Sequence, residues 1–575
     1  MKWTEMALRL LRIALMIAII GVVLFCGDYL SRSQVLAESP AQMEWSQTFG
    51  GEDSEHADSV QQTDDGGYIV AGTIESYGAN QGDAWLIKTD AGGNEQWSRT
   101  FGESYYVAAT FVEQTSDGGY IIASEIESYE SGSYSSDVWL IKTNAEGDEQ
   151  WSQTIGGTDD EGAHSVQQTS DGGYIIAGDT YSYGAGESNN LLLVKTDAGG
   201  HEQWSRIWAG SKSDVAWCVQ QTSDGGYIVA GETMSYGVGD GDFWLIKTDA
   251  GGNEQWSRTF GGSDDDGARS VQQTSDGGYV IAGETSSYGA GGVDAWLIKT
   301  DAGGNEQWSR TFGVTDNEWA YSVQQTSDGG YIIAGQTYSY STKDTDIWLI
   351  KTDAGGDEQW SLTFGGADTE CAHSVQQTTD GGYIMAGNTA SYGAGDGDFW
   401  LIKIAIPPPP DIPTLISPPD KDRIGLIGGI TPTFQWSDVS DDSGVRYNLQ
   451  VATHKDVTST GEFVDPMLSV VGLVGTSYTL EETEALPYGT YYWIVQAVDE
   501  AENESDWTAP SSFQVGLLPL WGLVAIIVVL AMLLILLTRA LVMRARSRAT
   551  RLIEREKKEI IEMIDEALEE DKRSR

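Results

Sequence analysis

The sequence is poor in basic residues and in cysteine. Only 33 of its 575 residues are lysine or arginine, against 86 aspartates and glutamates, and the formal net charge is −53. A nucleic-acid-binding protein needs clustered cations to displace the counterions of phosphate, so this function class is excluded. The three cysteines, Cys26, Cys218 and Cys371, lie far apart and form no CxxC pair, which argues against a zinc site or a disulfide framework.

Common catalytic and nucleotide-binding motifs are also absent from the sequence. It contains no HExxH motif, no GxSxG elbow and no P-loop, and its five histidines are scattered over different segments. No catalytic residue is therefore assigned. The content of 40% hydrophobic and 10% aromatic residues excludes a disordered chain.

The N-terminal segment has the pattern of a secretory signal. Lys2, Arg9 and Arg12 precede an uncharged run over 13–27, and a small-residue cleavage site follows at Val35-Leu36-Ala37. Residues 1–37 are predicted to be a signal peptide, with an uncleaved membrane anchor as the alternative.

The C-terminal segment has the pattern of a membrane span. Residues 517–538 carry no charge and are followed by a group of basic residues, which predicts a transmembrane helix with a cytoplasmic C-terminus. The tail at 539–575 has apolar residues at helical spacing and is predicted to be an amphipathic helix. The first 37 residues and the tail each carry a net charge of +2, so the intervening exported part carries −57. The acidity thus belongs to a surface outside the cell.

Between these ends, a phrase that opens with tryptophan recurs seven times. Successive copies are 52 to 54 residues apart, a period typical of propellers and solenoids. In one repeat, β-rich runs are predicted at 270–274, 278–284, 295–300 and 307–312, separated by glycine-rich turns. The pattern predicts an all-β fold, a seven-bladed β-propeller with four antiparallel strands in each blade. The phrase opens at Trp45, Trp97, Trp151, Trp204, Trp256, Trp308 and Trp360.

The phase of the repeat predicts how this ring closes. The first repeat opens with an outer strand at Trp45, whereas the last one stops at Ile406 without an outer strand of its own. Met43 to Phe49 is therefore predicted to complete the blade begun at His373, which leaves no exposed sheet edge. The propeller is assigned to residues 41–406.

One variable position singles out a candidate binding site. An alanine recurs at the start of each inner strand, and the residue after it differs between repeats. Inner strands line the central channel of a propeller, so these side chains are predicted to gather at its mouth and to bind a small polar ligand or sugar. The alternative is a solvated rim that tolerates variation. The seven residues are Asp58, Thr110, His164, Trp217, Arg269, Tyr321 and His373.

Two further patterns concern charged residues. Asp240 with Asp242, and Asp396 with Asp398, form Asp-Gly-Asp pairs that offer oxygen ligands to calcium, although the spacing of an EF-hand is missing. A solvated acidic loop is the alternative, and no other cofactor is predicted. Aspartates that precede the third strands are interpreted as turn-stabilising acceptors. A lysine recurs in every third strand, and if Lys88 faces Gln96, then Lys403 faces Glu44 at the ring closure.

A second domain follows a polyproline linker at 407–410. Residues 411–515 contain about seven short alternating runs, such as Thr433 to Trp436 and Tyr491 to Val498, which predict a β-sandwich. Its stretches Thr-Pro-Thr-Phe-Gln-Trp and Leu-Pro-Tyr-Gly-Thr-Tyr-Tyr-Trp resemble fibronectin type III domains of microbial surface proteins. Such a domain beside the membrane suits a stalk.

The repeats resemble a family of archaeal and bacterial cell-surface propellers with PQQ-like and WD40-like blades. The resemblance lies in Gly-Gly-Tyr-Ile-x-Ala-Gly, in Trp-Leu-Ile-Lys-Thr-Asp and in the Gly-Asn-Glu-Gln-Trp phrase. It implies the fold and no reaction, because the quinone and calcium site of PQQ dehydrogenases has no matching residues in this sequence.

Two function classes remain open. The first is a single-pass, membrane-anchored extracellular binding, adhesion or structural protein that contacts a glycan, an envelope component or another protein. The second is a surface enzyme that acts on polysaccharide or peptide at the channel mouth, since fold alone does not decide the chemistry. A glycosidase would need two carboxylates at the mouth, and Asp58 is the only one among the seven residues.

Overall fold

The computed structural model describes residues 41–573 except 77–81, 103–105, 131–132, 184–187, 339–343, 408–409, 426–428, 440–443, 459, 500–502 and 518. The predicted signal peptide at 1–37 and half of the predicted polyproline linker, 408–409, lie outside the described residues. One compact unit spans Ser39–Pro407, and Pro408–Arg575 belongs to a second unit.

The first unit contains seven four-stranded antiparallel sheets, called sheets 1 to 7 in chain order. The fourth strand of sheet 7 is β1 (Gln42–Phe49). The first strands are β2 (Glu55–Gln62), β6 (Val107–Gln114), β10 (Glu161–Gln168), β14 (Asp214–Gln221), β18 (Asp266–Gln273), β22 (Glu318–Gln325) and β26 (Glu370–Gln377). The second strands are β3 (Tyr68–Ile74), β7 (Tyr120–Glu130), β11 (Tyr174–Thr180), β15 (Tyr227–Thr233), β19 (Tyr279–Thr285), β23 (Tyr331–Tyr338) and β27 (Tyr383–Thr389). The third strands are β4 (Asp83–Thr89), β8 (Ser133–Thr143), β12 (Asn190–Thr196), β16 (Asp242–Thr248), β20 (Asp294–Thr300), β24 (Thr345–Thr352) and β28 (Asp398–Ala405). The other fourth strands are β5 (Glu95–Phe101), β9 (Glu149–Ile155), β13 (Glu202–Trp208), β17 (Glu254–Phe260), β21 (Glu306–Phe312) and β25 (Glu358–Phe364).

The prediction of four antiparallel strands per repeat is confirmed, with one difference in length. The first strand of sheet 5 begins at Asp266 and not at residue 270, because pairing with β19 continues through a bulge next to Ala268. Each sheet is open, with its first and fourth strands as edges, and none of the sheets in the described residues closes into a barrel.

The segment predicted to complete the last sheet does so. Strand β1 pairs antiparallel with β28, with Trp45 opposite Lys403 and Phe49 opposite Phe399. The predicted side-chain contacts of the lysines are present, although the strand ladder pairs Lys88 with Trp97 and Lys403 with Trp45. Lys88 Nζ lies 3.3 Å from Gln96 Oε1, and Lys403 Nζ lies 3.6 Å from Glu44 Oε2.

Adjacent sheets share their buried side chains. Phe243 and Leu245 of sheet 4 pack in one cluster with Ala268 and Tyr279 of sheet 5. A similar cluster joins sheet 7 to sheet 1. The repeated tryptophan packs against the next sheet at the outer end of this interface. In sheets 4 and 5, the ring centroids of Trp256 and Tyr279 lie 5.8 Å apart. A Cβ atom on Gly304 would come within 2.6 Å of the same indole, so only glycine fits there.

The repeated Gln-Gln pair of the first strands connects neighbouring sheets through hydrogen bonds, and this set of bonds is called the glutamine lacing below. The first glutamine of each pair, or its replacement Glu113, accepts a hydrogen bond from a backbone N–H of the next sheet, as Gln220 Oε1 does from Gln273 N at 2.6 Å. The same bond runs from Gln62 N of sheet 1 to Gln376 Oε1 of sheet 7, also at 2.6 Å. Seven such bonds therefore connect all seven sheets, with acceptors Gln61, Glu113, Gln167, Gln220, Gln272, Gln324 and Gln376.

The second unit contains two sheets that share one core. A three-stranded sheet has the order β29–β31–β34, and a five-stranded sheet has the order β30–β36–β35–β32–β33. Phe434 and Trp436 of the smaller sheet pack with Trp493 and Phe513 of the larger one. A short 3₁₀ helix spans Glu482–Glu484. The strands are β29 (Leu415–Ser417), β30 (Asp422–Ile424), β31 (Thr433–Trp436), β32 (Val445–Ala452), β33 (Leu468–Val474), β34 (Ser477–Thr479), β35 (Gly489–Asp499) and β36 (Ser511–Val515).

A single long helix, α1 (Leu520–Arg573, 54 residues), follows these sheets. It is long and apolar enough to cross a membrane. The predicted span and the predicted tail helix are thus one continuous helix. It starts three residues later than the predicted span because the chain enters it through Pro519, whose carbonyl accepts bonds from the backbone N–H groups of Gly522 and Leu523.

Candidate functional site

A β-bulge interrupts the first strand of every sheet at the same place. In sheet 5, Ala268 pairs with Gly283 and Ser270 pairs with Ala282, so Arg269 is an extra residue between them. Such a bulge re-aims the extra side chain away from the regular ladder. The seven extra residues are the predicted mouth residues Asp58, Thr110, His164, Trp217, Arg269, Tyr321 and His373. All seven are half-buried.

The residues that follow each bulge line a common cavity. Three consecutive residues from every first strand surround a space of about 250 Å³, which makes it the meeting point of all seven sheets. Most of its polar lining comes from serines and from the glutamines that lace the sheets. Glu113 is the exception, and burial raises its pKa to about 7.

Three mouth residues from sheets 3, 4 and 5 form one stack. The imidazole of His164 and the indole of Trp217 have ring centroids 4.3 Å apart. The guanidinium carbon of Arg269 lies 4.5 Å from the centroid of the same indole, in cation–π geometry. Trp217 Nε1 is buried and has no hydrogen-bond partner among the described residues. The stack therefore combines an aromatic surface with an unused donor.

Two mouth residues from sheets 6 and 7 form a second group. The rings of Tyr321 and His373 lie 5.3 Å apart. Burial lowers the pKa of His373 to about 4, so its imidazole is neutral at physiological pH.

The two remaining mouth residues differ in their readiness to bind a ligand. Burial raises the pKa of Asp58 to about 8, so this carboxyl is mostly protonated at neutral pH and offers a hydrogen-bond donor. Thr110 instead donates its hydroxyl to the carbonyl of Ala163, at 2.6 Å. Its role is therefore to hold sheet 2 against sheet 3.

Sequence reasoning missed a second set of seven variable residues, which lies on the second strands. On each second strand, the residue 15 positions after the bulge residue orients it in at least three sheets. His164 Nε2 lies 2.8 Å from Asp179 Oδ1, and Arg269 Nε donates to Glu284 Oε1 at 3.0 Å. His373 Nε2 lies 3.1 Å from an oxygen of the corresponding amide. A sequence feature could have identified these residues, because each is the one varying residue within a near-constant Ala-Gly-x-Thr phrase. They are Thr73, Glu125, Asp179, Glu232, Glu284, Gln336 and Asn388.

One cluster at the mouth has the residue types of a thiol hydrolase. Cys371 Sγ lies 4.0 Å from His373 Nδ1, and Asn388 holds the other ring nitrogen. Burial raises the pKa of the thiol and lowers that of the imidazole, so both groups are neutral near pH 7. A thiolate nucleophile is thus disfavoured, and the cluster supports no acyl-transfer function.

The two aspartates of each Asp-Gly-Asp pair lie in different environments. Asp242 and Asp398 are buried and each accepts a backbone N–H bond within its own loop, at 2.8 Å. This confirms the turn-stabilising interpretation for these two positions. Asp240 and Asp396 are exposed. Across the described residues, no group of three or more His, Cys, Asp and Glu side chains is placed to hold a metal ion.

No family model matches the chain. The regulatory protein FlaEY of Caulobacter vibrioides is 29% identical over 138 residues, a match that covers 21% of this chain and only 14% of that relative. Among solved structures, the extracellular domain of a hybrid two-component system from B. thetaiotaomicron is 12% identical, with a TM-score of 0.34, over 84% of this chain and 60% of its own. The WD40 domain of Neurospora crassa Pan2 is 10% identical, with a TM-score of 0.39, over 63% of this chain and 95% of its own. TM-scores in this range carry neither fold nor function across.

Proposed function

We propose that this chain is a membrane-anchored surface protein that binds a small polar ligand or a sugar unit at the mouth of a seven-bladed β-propeller. The observation that carries the proposal is the bulge ring. Seven sheets present an extra residue at one register, and this residue varies in chemistry while its flanking alanine is constant. Chemical variation at a half-buried position beside a constant alanine supports contact with a ligand over a role in packing alone.

The seven-bladed ring is supported by the bonds between the last sheet and the first. The glutamine lacing includes the bond from Gln62 N to Gln376 Oε1, and the returning bond joins Thr379 N to Gln62 Oε1 at 2.9 Å. Completion of sheet 7 by β1 fits the way propellers protect their edges.

A fibronectin type III-like assignment for the second domain is supported by two features. Trp436 is buried on a strand of the smaller sheet, and Tyr491 OH donates to the carbonyl of Pro487 at 3.1 Å. The latter bond matches the tyrosine corner that recurs in sandwiches of this type.

The proposed location rests on the C-terminal helix. Its apolar part, 520–538, is about 28 Å long and matches the thickness of a bilayer. The basic residues that follow favour a cytoplasmic C-terminus, so the propeller and sandwich lie outside.

The proposal predicts that mouth substitutions weaken binding. We expect the full-length chain in detergent to bind at least one component of a glycan array. Trp217→Ala and Tyr321→Ala, tested separately, are each expected to weaken that binding at least about tenfold, because both remove a large ring from the mouth. Ser275→Ala, on an exposed turn that follows the other end of β18, is the matched control and should bind normally.

Binding that persists unchanged in both ring variants, at unchanged melting temperature, would refute the mouth as the site. The same assay separates binding from catalysis. Each array hit is incubated with the wild-type chain and with Asp58→Asn, and turnover by the wild type that the substitution abolishes would replace the binding proposal by the hydrolase alternative.

A further inference from the structure

A groove recurs on the outer edge of the propeller-like unit, between the fourth strands of adjacent sheets. It has a volume of about 540 Å³ between sheets 4 and 5, and about 500 Å³ between sheets 7 and 1. A third copy of about 560 Å³ lies between sheets 6 and 7. The copies are lined by residues at equivalent positions of the repeat, so they are properties of the repeat and not accidents of one loop.

The groove between sheets 4 and 5 has an aromatic wall with one open face. Tyr288 is 48% exposed, and its ring packs against Trp296 at a centroid distance of 5.3 Å. Its hydroxyl donates to the carbonyl of Gly261 across the sheet boundary, at 2.9 Å. The exposed ring is therefore held in place from both ends.

The opposite wall of this groove offers fixed polar groups. Ser309 Oγ donates to Glu306 Oε1 at 2.9 Å, the only bond to this carboxylate in the described part of the chain. The guanidinium of Arg310 belongs to the other face of the strand, where it stacks on Trp308 at 5.5 Å and pairs with Asp357 of sheet 6. The carboxylate of Glu306, with acceptor capacity left, is therefore the charged group opposite the aromatic ring.

The equivalent position between sheets 3 and 4 shows what this carboxylate accepts. Trp208 stands there in place of Phe260, and its Nε1 donates to Glu254 Oε2 at 2.8 Å. Glu254 is the counterpart of Glu306, so in this copy the protein's own side chain supplies a flat group with a donor at its edge. The three grooves described above have Phe260, Phe49 and Phe364 at this position, and phenylalanine carries no such donor.

We infer that the open grooves with a carboxylate, between sheets 4 and 5 and between sheets 7 and 1, bind neutral saccharide units. A pyranose has hydroxyl groups for the carboxylate and an apolar face for the aromatic wall, which Tyr288 and Trp296 form in one groove and Phe49 and Trp85 in the other. The strongly acidic exported surface disfavours an anionic ligand. Two equivalent grooves match a ligand that itself repeats, namely a polysaccharide, in which weak sites add through avidity. This inference is independent of the mouth.

The test adds or removes a tryptophan at the position that Trp208 occupies. The double variant Phe49→Trp with Phe260→Trp places an indole opposite Glu95 and Glu306, as Trp208 is placed opposite Glu254. The single variant Trp208→Phe removes the indole opposite Glu254. The probes are immobilised neutral polysaccharides of glucose, galactose and mannose, with the full-length chain in detergent. We expect at least one probe to retain the wild type, the double variant to lose about tenfold in retention, and Trp208→Phe to gain retention.

Two further variants separate contact from folding. The double variant Glu306→Gln with Glu95→Gln should weaken retention by the polysaccharide probes. Glu254→Gln should leave retention unchanged, because Trp208 already occupies the site of this carboxylate. The mouth variant Trp217→Ala should retain the polysaccharide, so failure of one site does not imply failure of the other. Absence of retention by every probe, equal retention by the filled double variant, or capture of tryptophan-rich peptides instead of saccharides would overturn the inference.

Discussion

Removal of residues 41–50 is expected to lower the melting temperature of the chain by about 10 °C or more. The deletion removes β1, leaves the buried strand β28 as an exposed edge, and withdraws Trp45 from its contact with Tyr68, where the ring centroids are 5.8 Å apart. Loss of one such tryptophan alone typically costs about 3–5 kcal/mol. Differential scanning calorimetry checks the result, and the exposed edge should also promote aggregation.

A permuted variant provides the control for this deletion. Residues 41–50 are moved to follow Ile406 through a copy of the Asp-Ala-Gly-Gly-Asn turn that joins the third and fourth strands in other sheets. Stability should return, because the same strand then completes the same sheet. A deletion variant that melts like the wild type would show that β1 does not complete sheet 7.

Replacement of Glu113 by glutamine is expected to stabilise the protein in a pH-dependent way. Burial raises the pKa of Glu113 from 4.5 to about 7, so the folded state binds a proton more tightly than the unfolded state. The stability linked to this proton is fully present below about pH 4.5 and is lost as the pH rises through about 7. Glu113→Gln should therefore raise the free energy of unfolding at pH 8 by up to about 3 kcal/mol and change it little at pH 4.

The lacing supplies the matched control. The backbone N–H of Gln168 donates to Glu113 at 2.6 Å, as the N–H of Gln221 donates to Gln167 at 2.5 Å. Gln167→Glu should thus introduce the loss at high pH that Glu113→Gln removes. Urea unfolding at pH 4, 6 and 8 measures both, and an equal effect of Glu113→Gln at all three values would contradict the explanation.

The repeat made much of the fold predictable from sequence. Strand count, turn positions and the pairing of Met43 to Phe49 all follow from local pattern and from the phase of seven copies. The position of Glu44 beside Lys403 followed in the same way, by carrying the register of one hairpin to another. Such inferences succeed because Lys88 and Gln96 are hairpin neighbours close in sequence, and the repeat carries their arrangement over to the distant pair Glu44 and Lys403.

Features that depend on partners in another repeat were not predictable in the same way. The Gln-Gln pair recurs in every repeat except at Glu113, but its backbone partners lie about one period away, so no local pattern revealed the lacing. The bulge is a property of two paired strands, and the sequence of β18 alone does not say that Arg269 is the extra residue. For the same reason the supporting role of Glu284 was missed, although its position varied within a constant phrase.

Hydrogen exchange of the full-length chain, with and without its strongest array ligand, tests whether the bulge residues bind the ligand. We expect slower exchange at the bulges, especially over 214–218 and 266–270, where Trp217 and Arg269 form part of the stack. Exchange at the Ser-Asp-Gly-Gly turns, at the other end of the first strands, should stay the same. Slower exchange confined to those turns, with none at the bulges, would contradict the assignment of the mouth as the binding site.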